Sequence, residues 1–268
     1  VTIVKIAPYA FKESYSGKEN MTSVSIPATV TEIGKEAFYC CRKLSVLRFA
    51  AGSQLKKIGE RAFCKCESLT SLEIPNSVTE IGDEAFKWLK NLKNITLSGT
   101  LNNEKWLGRN FRSKDDTLET ATFTGEIVQY GVPAKKIILA DTVAEIGQSA
   151  FGGISYLEEV FIGKKVTTIG DYAFADCHQL VSACLPDGLK TIGKEAFRSC
   201  HDLNDVILPS SLQVIGKNCF ESCSQLQIID VSKVPDTILE KKTCLTGMVI
   251  VPELLVRATG GKTEIEWS

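Results

Sequence analysis

Apolar positions along this chain recur in blocks of nearly fixed spelling. Val30 to Phe38 reads Val-Thr-Glu-Ile-Gly-Lys-Glu-Ala-Phe; close copies run from Val78 to Phe86 and from Val143 to Phe151. Looser copies begin at Leu55, Val166, Leu189 and Leu212. The closing Phe falls at 38, 63 and 86, then at 151, 174, 197 and 220; four of the five intervals within these two runs are 23 residues and the fifth is 25. A period this short describes one supersecondary unit stacked on itself, because a single unit is too small to bury its own apolar residues.

Within one copy, Val78 to Leu97, two periodicities follow each other. Val78 and Ile81 lead to Gly82, which is placed to take a tight turn with positive φ. Asp83 and Glu84 suit the first turn of a short helix. Ala85, Phe86 and Leu89 share one helical face, with Leu92 next. Ile95 and Leu97 then alternate with polar residues, which is strand periodicity. Each coil is therefore predicted as a strand, a turn, a short helical or 3-10 segment and a return. Pro27, Pro75, Pro186 and Pro209 follow the last inward strand residue, where a missing N–H ends the ladder. Ala at 37, 62, 85, 150, 173 and 196 (Cys219 in the last copy) lets each turn approach its neighbour. Ile3 to Pro27 reads as a further coil through Ile6, Ala10, Phe11, Met21, Val24 and Ile26.

The period fails between Phe86 and Phe151. Trp106 to Phe111 resembles a damaged copy, with Ala121 to Phe123 as its strand, and Lys136 to Leu139 is the strand of a short coil. Ser98–Lys105 and Lys114–Asp116 are expected to project, either as tolerated insertions or as a binding loop. The expected organisation is a repeat array over 1–231, irregular over about 98–139, and a C-terminal capping segment over 232–268. In that last segment Met248 to Pro252 echoes a strand.

The spelling Leu-x-x-Leu-x-Ile-Pro at Leu69–Pro75, followed by Val-x-x-Ile-Gly-x-x-Ala-Phe and a Leu six residues on at Val78–Leu92, resembles the BspA-like (Treponema-type) leucine-rich repeat family. Seven copies in register carry the resemblance. It implies an α/β repeat solenoid: a right-handed leucine-rich superhelix with a parallel β-sheet on the concave face and short helical or 3-10 segments on the other side. It also implies a cell-surface or secreted protein, with adhesin-like contacts to host matrix proteins such as fibronectin and fibrinogen.

Composition narrows the function. Lys plus Arg total 31 against 32 for Asp plus Glu, a net charge of −1. No basic excess argues for nucleic acid or an anionic membrane surface. No apolar run approaches the roughly 18 residues of a membrane span. Ten cysteines are present. Cys41, Cys66, Cys177, Cys200 and Cys223 each lie three residues after the repeated Phe, a place held elsewhere by Leu89 and Ile154. A position that accepts Cys, Leu and Ile is a buried apolar slot. Disulfides between equivalent cysteines have poor geometry because their Cβ vectors run parallel. Cys40, Cys64, Cys184, Cys219 and Cys244 stand outside this pattern.

Candidate chemistry is sparse. His178 and His201, the only histidines, directly follow Cys177 and Cys200. Cys and His are zinc ligands, yet the His column elsewhere holds Arg42, Glu67, Lys90, Ser155 and Ser224. It faces solvent while the Cys column faces inward, so no metal site is expected. Phosphate loops, HExxH and GxSxG are absent, and neither a cofactor nor catalysis is expected. The acids read mainly as helix starts or solvated strand positions.

The outward strand positions are more informative. The residue between the two inward apolars reads Arg48, Glu73, Thr96, Thr122, Ile138, Phe161, Cys184, Ile207 and Asp230. Ile138, Phe161, Cys184 and Ile207 form an apolar row on an exposed face, which is the candidate ligand-binding surface. Strand propensity alone also accounts for Ile and Phe there. Two functions follow: a monomeric, non-enzymatic protein-binding module, or a spacer, scaffold or self-assembly module of a larger surface protein.

Overall fold

The computed structural model describes residues 3–12, 20–97, 118–125, 127–128, 132–230 and 255–257. The chain divides into two compact units, Val1–Gly125 and Glu126–Ser268. Ser98–Lys105, Lys114–Asp116, Trp106 to Phe111 and Met248 to Pro252 lie outside the described residues.

Both units are parallel β-solenoids in which a regular coil contributes one longer and one shorter strand. In the first unit the longer strands are Ser23–Ile26, Val46–Phe49, Ser71–Ile74, Asn94–Leu97 and Leu118–Phe123. Ser23–Ile26 pairs in parallel with Val46–Phe49, and Ser71–Ile74, Asn94–Leu97 and Leu118–Phe123 pair in sequence. The shorter strands Lys5–Ile6, Glu32–Ile33, Lys57–Ile58 and Glu80–Ile81 form their own ladder. In the second unit Ala134–Leu139, Glu159–Phe161, Ser182–Cys184, Asp205–Ile207, Ile228–Asp230 and Leu255–Arg257 form the long ladder. Ile127–Val128, Glu145–Ile146, Thr168–Ile169, Thr191–Ile192 and Val214–Ile215 form the short one. The predicted strands at Ala121–Phe123 and Lys136–Leu139 are present, as is the coil built on Ile6 and Phe11.

The core is a set of columns of equivalent apolar residues, the phenylalanine column being the most uniform. Phe11, Phe38, Phe63 and Phe86 stack with ring centroids 5.0, 4.9 and 5.7 Å apart. Phe151, Phe174, Phe197 and Phe220 repeat this at 5.2, 5.2 and 5.6 Å. Planes stay within 13° of parallel, since equivalent residues inherit equivalent rotamers. The inward strand residues, such as Leu72, Ile95, Val160 and Val206, are buried beside them.

The helical or 3-10 segments expected between the ladders do not form: the described residues contain strands and turns and no helix. The reason lies in the backbone bonds. In the Gly170–Cys177 segment the N–H groups of Ala173, Ala175 and Cys177 bond three residues back within the coil. Those of Tyr172, Phe174 and Asp176 bond instead to Lys194, Ala196 and Arg198 of the next coil. Alternate donors leave the coil, so a helical ladder cannot propagate. Tyr172 and Asp176 also take φ of 56° and 61°, the left-handed region that a right-handed helix excludes.

The expected positive φ at Gly82 is likewise not found. Among the described glycines positive φ occurs at Gly52 and Gly153. In the Ile-Gly coils it falls two residues later, at Glu36, Arg61, Glu84, Ser149, Tyr172, Glu195 and Asn218. The glycine column has a different cause, the approach of the preceding coil's backbone. A Cβ on Gly59 would lie 2.6 Å from the Lys35 nitrogen, and one on Gly170 would lie 2.7 Å from the Gln148 nitrogen.

Candidate binding face

The row predicted at Ile138, Phe161, Cys184 and Ile207 lies on the outward side of the second unit's long ladder. Ile138 is in register with Phe161, and Phe161 with Cys184. The Ser182–Asp205 pairing carries the row to Ile207, which is in register with Asp230. Alternation explains the orientation: Ile137, Val160, Ala183 and Val206 point inward and are buried, so their neighbours point out. Phe161 is 45% exposed and Ile207 58%. Cys184 is exposed and Ile138 half-buried.

The equivalent row of the first unit is polar: Ser25 faces Arg48, while Glu73, Thr96 and Thr122 follow one another in register. Only the second unit carries the apolar version. Polar residues border it one column away, with Lys136 in register with Glu159 and Ser182 with Asp205.

One contact on this face is invisible to local sequence patterns. The Lys136 ammonium lies 4.4 Å from the Phe161 ring centroid and 3.1 Å from the Glu159 carboxylate. It thereby makes a cation–π contact and an ion pair. Lys135 and Glu158 pair alongside at 3.0 Å. The Ile138–Phe161 end of the row thus holds paired charges. At the Ile207 end Asp205 precedes on the same strand face and Asp230 is in register with Ile207, against the single base Arg257 in register with Asp230, so that end carries a net acidic charge.

The remaining candidates separate as their faces predict. His178 and His201 are exposed and stack with centroids 4.6 Å apart. Cys177 and Cys200 turn the other way and are fully buried. Among the described residues no three His, Cys, Asp or Glu side chains gather as a metal site. No helix there is long and apolar enough to cross a membrane.

The cysteine column is buried, as the slot analogy with Leu and Ile predicts, but its thiols do more than fill space. Cys41, Cys66, Cys177, Cys200 and Cys223 each donate to the carbonyl of the preceding coil's Phe, at 3.1 to 3.3 Å. Burial pushes the Cys177 and Cys223 thiols up to about 12 and those of Cys66 and Cys200 well above the usual range. Desolvation of a thiolate is the dominant cause. None of the nine cysteines among the described residues is in a disulfide.

Two acids depart from the solvated positions expected of them. Glu36 and Glu195 are buried polar residues. Lys12 pairs with Glu36 at 2.7 Å; Lys194 and Arg198 hold Glu195 at 3.3 Å each. The Lys12–Glu36 pair links two coils, whereas both partners of Glu195 belong to its own coil and the Tyr172 hydroxyl, 3.4 Å away, reaches it from the preceding one.

Stacked parallel coils, with columns of equivalent apolar residues inside and a variable strand face outside, define a solenoid repeat protein. The chain belongs to the BspA type leucine rich repeat region family, whose repeat matches in six copies over residues 4–129 and 125–243. Among solved structures it is similar to a leucine rich cell surface protein of Faecalibacterium prausnitzii, at 21% identity and a TM-score of 0.37, covering 85% of this chain and 82% of that one. It is similar to a leucine-rich repeat protein of Bacteroides ovatus at 25% identity and a TM-score of 0.39, covering 88% and 86%. The pneumococcal vaccine antigen PcpA is similar at 22% identity and a TM-score of 0.34, covering 85% of this chain and 67% of that one. No curated protein matches.

Proposed function

We propose that this chain is a non-enzymatic protein-binding module of a cell-surface or secreted protein, and that it meets its partner through the outward face of the second unit's long ladder. The carrying observation is the apolar row at Ile138, Phe161, Cys184 and Ile207, exposed where the first unit presents Arg48, Glu73, Thr96 and Thr122. An apolar strip rimmed by polar residues on a rigid scaffold is the usual form of a contact surface. Family membership and the similar cell surface protein support export and adhesion, and host matrix proteins are the partner class. The 232–268 segment is read as the cover of the array's open edge, supported by Leu255–Arg257 adding beside Ile228–Asp230.

The test is capture on immobilised fibronectin and fibrinogen, comparing the wild type with Phe161→Ser/Ile207→Ser. Wild-type capture that falls in the double variant, with unchanged circular dichroism, supports the reading. Equal capture of both removes the row from the binding surface. Light scattering across concentration tests the alternative of a self-assembling scaffold, for which mass rises with concentration.

A further inference from the structure

The shape of the row says more about its occupant than that it is a protein. Resting on the reading above, we propose that the row takes an amphipathic α-helix with a basic flank, laid across the strands.

Spacing is the first argument. The four row residues come from four successive strands of a parallel ladder, so they repeat about every 4.8 Å and span about 14 Å. A helix rises about 1.5 Å per residue, which places apolar residues three or four apart about 4.5 to 6 Å along its axis. Four such residues in about three turns keep step with the four coils. An extended segment in the same direction repeats same-face side chains about every 6.6 Å and falls out of step by the second residue.

Width is the second argument. Glu159, Ser182 and Asp205 occupy the outward column on one side, and Ala140, Gly163, Pro186 and Pro209, small or buried, follow on the other, so the exposed large apolar side chains make a strip one residue wide. That suits the single stripe of a helix. An interface between two copies of this chain would need an apolar centre several columns wide.

Charge is the third. The basic groups flanking the row, Lys135 and Lys136, are already paired with Glu158 and Glu159. Asp205 is exposed two residues before Ile207 on the same face, and Asp230 is in register with Ile207, with Arg257 the one base next in register. Basic residues flanking the stripe complement this end, whereas acidic ones are repelled.

The experiment uses the full chain and three labelled peptides of equal length, read by fluorescence anisotropy. One is a Leu/Lys helix with Leu at three- and four-residue spacing, one its Leu/Glu counterpart, and one an alternating Val/Lys strand former. The Leu/Lys helix is expected to bind, and Phe161→Ser/Ile207→Ser to weaken it roughly tenfold or more through loss of two anchors. Asp205→Asn should weaken it by a few-fold with a shallower salt dependence, and the Leu/Glu helix should not bind. Ile207→Lys is a second variant, exposed and therefore not expected to disturb folding. Equal binding of the Leu/Lys helix to wild type and both row variants overturns the inference. Tighter, row-dependent binding of the Val/Lys strand also overturns it while leaving the protein-binding face intact. Absence of binding of the Leu/Lys helix to the wild type overturns it as well.

Discussion

The thiol of Cys200 lies 3.2 Å from the carbonyl oxygen of Phe174, one coil away, and donates its proton there. The same oxygen accepts the N–H of Cys177 at 3.3 Å. One carbonyl thus closes a turn within its own coil and receives a side chain from the next. Leu89 and Ile154 fill the same slot without a donor, so packing alone does not distinguish them from cysteine. The thiol adds a weak hydrogen bond in a place where water cannot reach.

This bond needs the proton, which gives a pH dependence. The folded pKa of Cys177 is raised to about 12, and burial, with the neighbouring thiols, holds that of Cys200 well above the ordinary thiol range. A raised folded pKa means the stability is complete below the ordinary thiol range, near 9, and falls as pH climbs toward the folded value. Each buried thiol contributes a slope of about 1.4 kcal/mol per pH unit in that window. Cys200→Ala is expected to cost about 1–3 kcal/mol at pH 7 and to flatten the decline between pH 9 and 11. Urea unfolding of both proteins at several pH values measures this, and parallel pH curves would rule it out.

How much of this was legible in the sequence depends on whether a residue's reason is local. Phe86, Leu92 and Ile95 face inward in every coil, so their chemistry repeats and the columns could be read directly. Ala85, Phe86 and Leu89 mimic a helical face, yet they sit in a segment whose equivalents send alternate N–H groups to another coil. Hydrogen bonds between coils leave no mark on side-chain spacing. The left-handed positions were hidden for a related reason: Glu84, Arg61 and Tyr172 hold them instead of Gly or Asn. The outward orientation of Ile138, Phe161, Cys184 and Ile207 was legible because strand alternation is local, whereas nothing in that alternation speaks for a ligand. Lys136 over Phe161 joins residues of two coils and could not be foreseen.

The two kinds of glycine should respond differently to Ala. Gly170 lies so close to the backbone of Gln148 and Gly147 that a Cβ would meet both at 2.7 Å. Backbone cannot move aside without opening the ladder, so Gly170→Ala is expected to cost several kcal/mol, on the order of 3 or more. Gly153 has open space around its Cβ position but φ of 78°, so Gly153→Ala should cost only about 1–2 kcal/mol. Ser199 occupies the equivalent place with φ of 57°. Ser199→Gly should therefore be neutral or stabilise by up to about 1 kcal/mol. Thermal melts of the three variants test the order, and a milder effect at Gly170 than at Gly153 would contradict it.

A phenylalanine inside the coil and one on the outward strand face should differ as sharply. Phe174 is fully buried between Phe151 and Phe197, 5.2 Å from each. Phe174→Ala removes both stacking contacts and leaves a cavity, for an expected loss of about 3–5 kcal/mol. Phe161→Ala removes a half-exposed ring and one cation–π contact, for about 1 kcal/mol or less. Chemical denaturation midpoints give both values. A large loss at Phe161 would mean that its ring serves the fold rather than a partner.

Cysteine reactivity offers a direct check on which side of the ladder each residue occupies. Cys184 is exposed in the outward row, while Cys66, Cys177 and Cys200 are fully buried and held protonated. Alkylation requires both access and thiolate, and the buried column has neither. Brief iodoacetamide treatment of the native protein at pH 8, followed by peptide mapping, should modify Cys184 well before those three. The buried thiols should react on the timescale of unfolding, and all should react together in denaturant. Bulky maleimide labelling at Cys184 should then block capture by fibronectin or fibrinogen if the row is the contact surface. Rapid modification of Cys177 in the native state would show that the stack opens far more readily than its hydrogen bonds and buried rings imply.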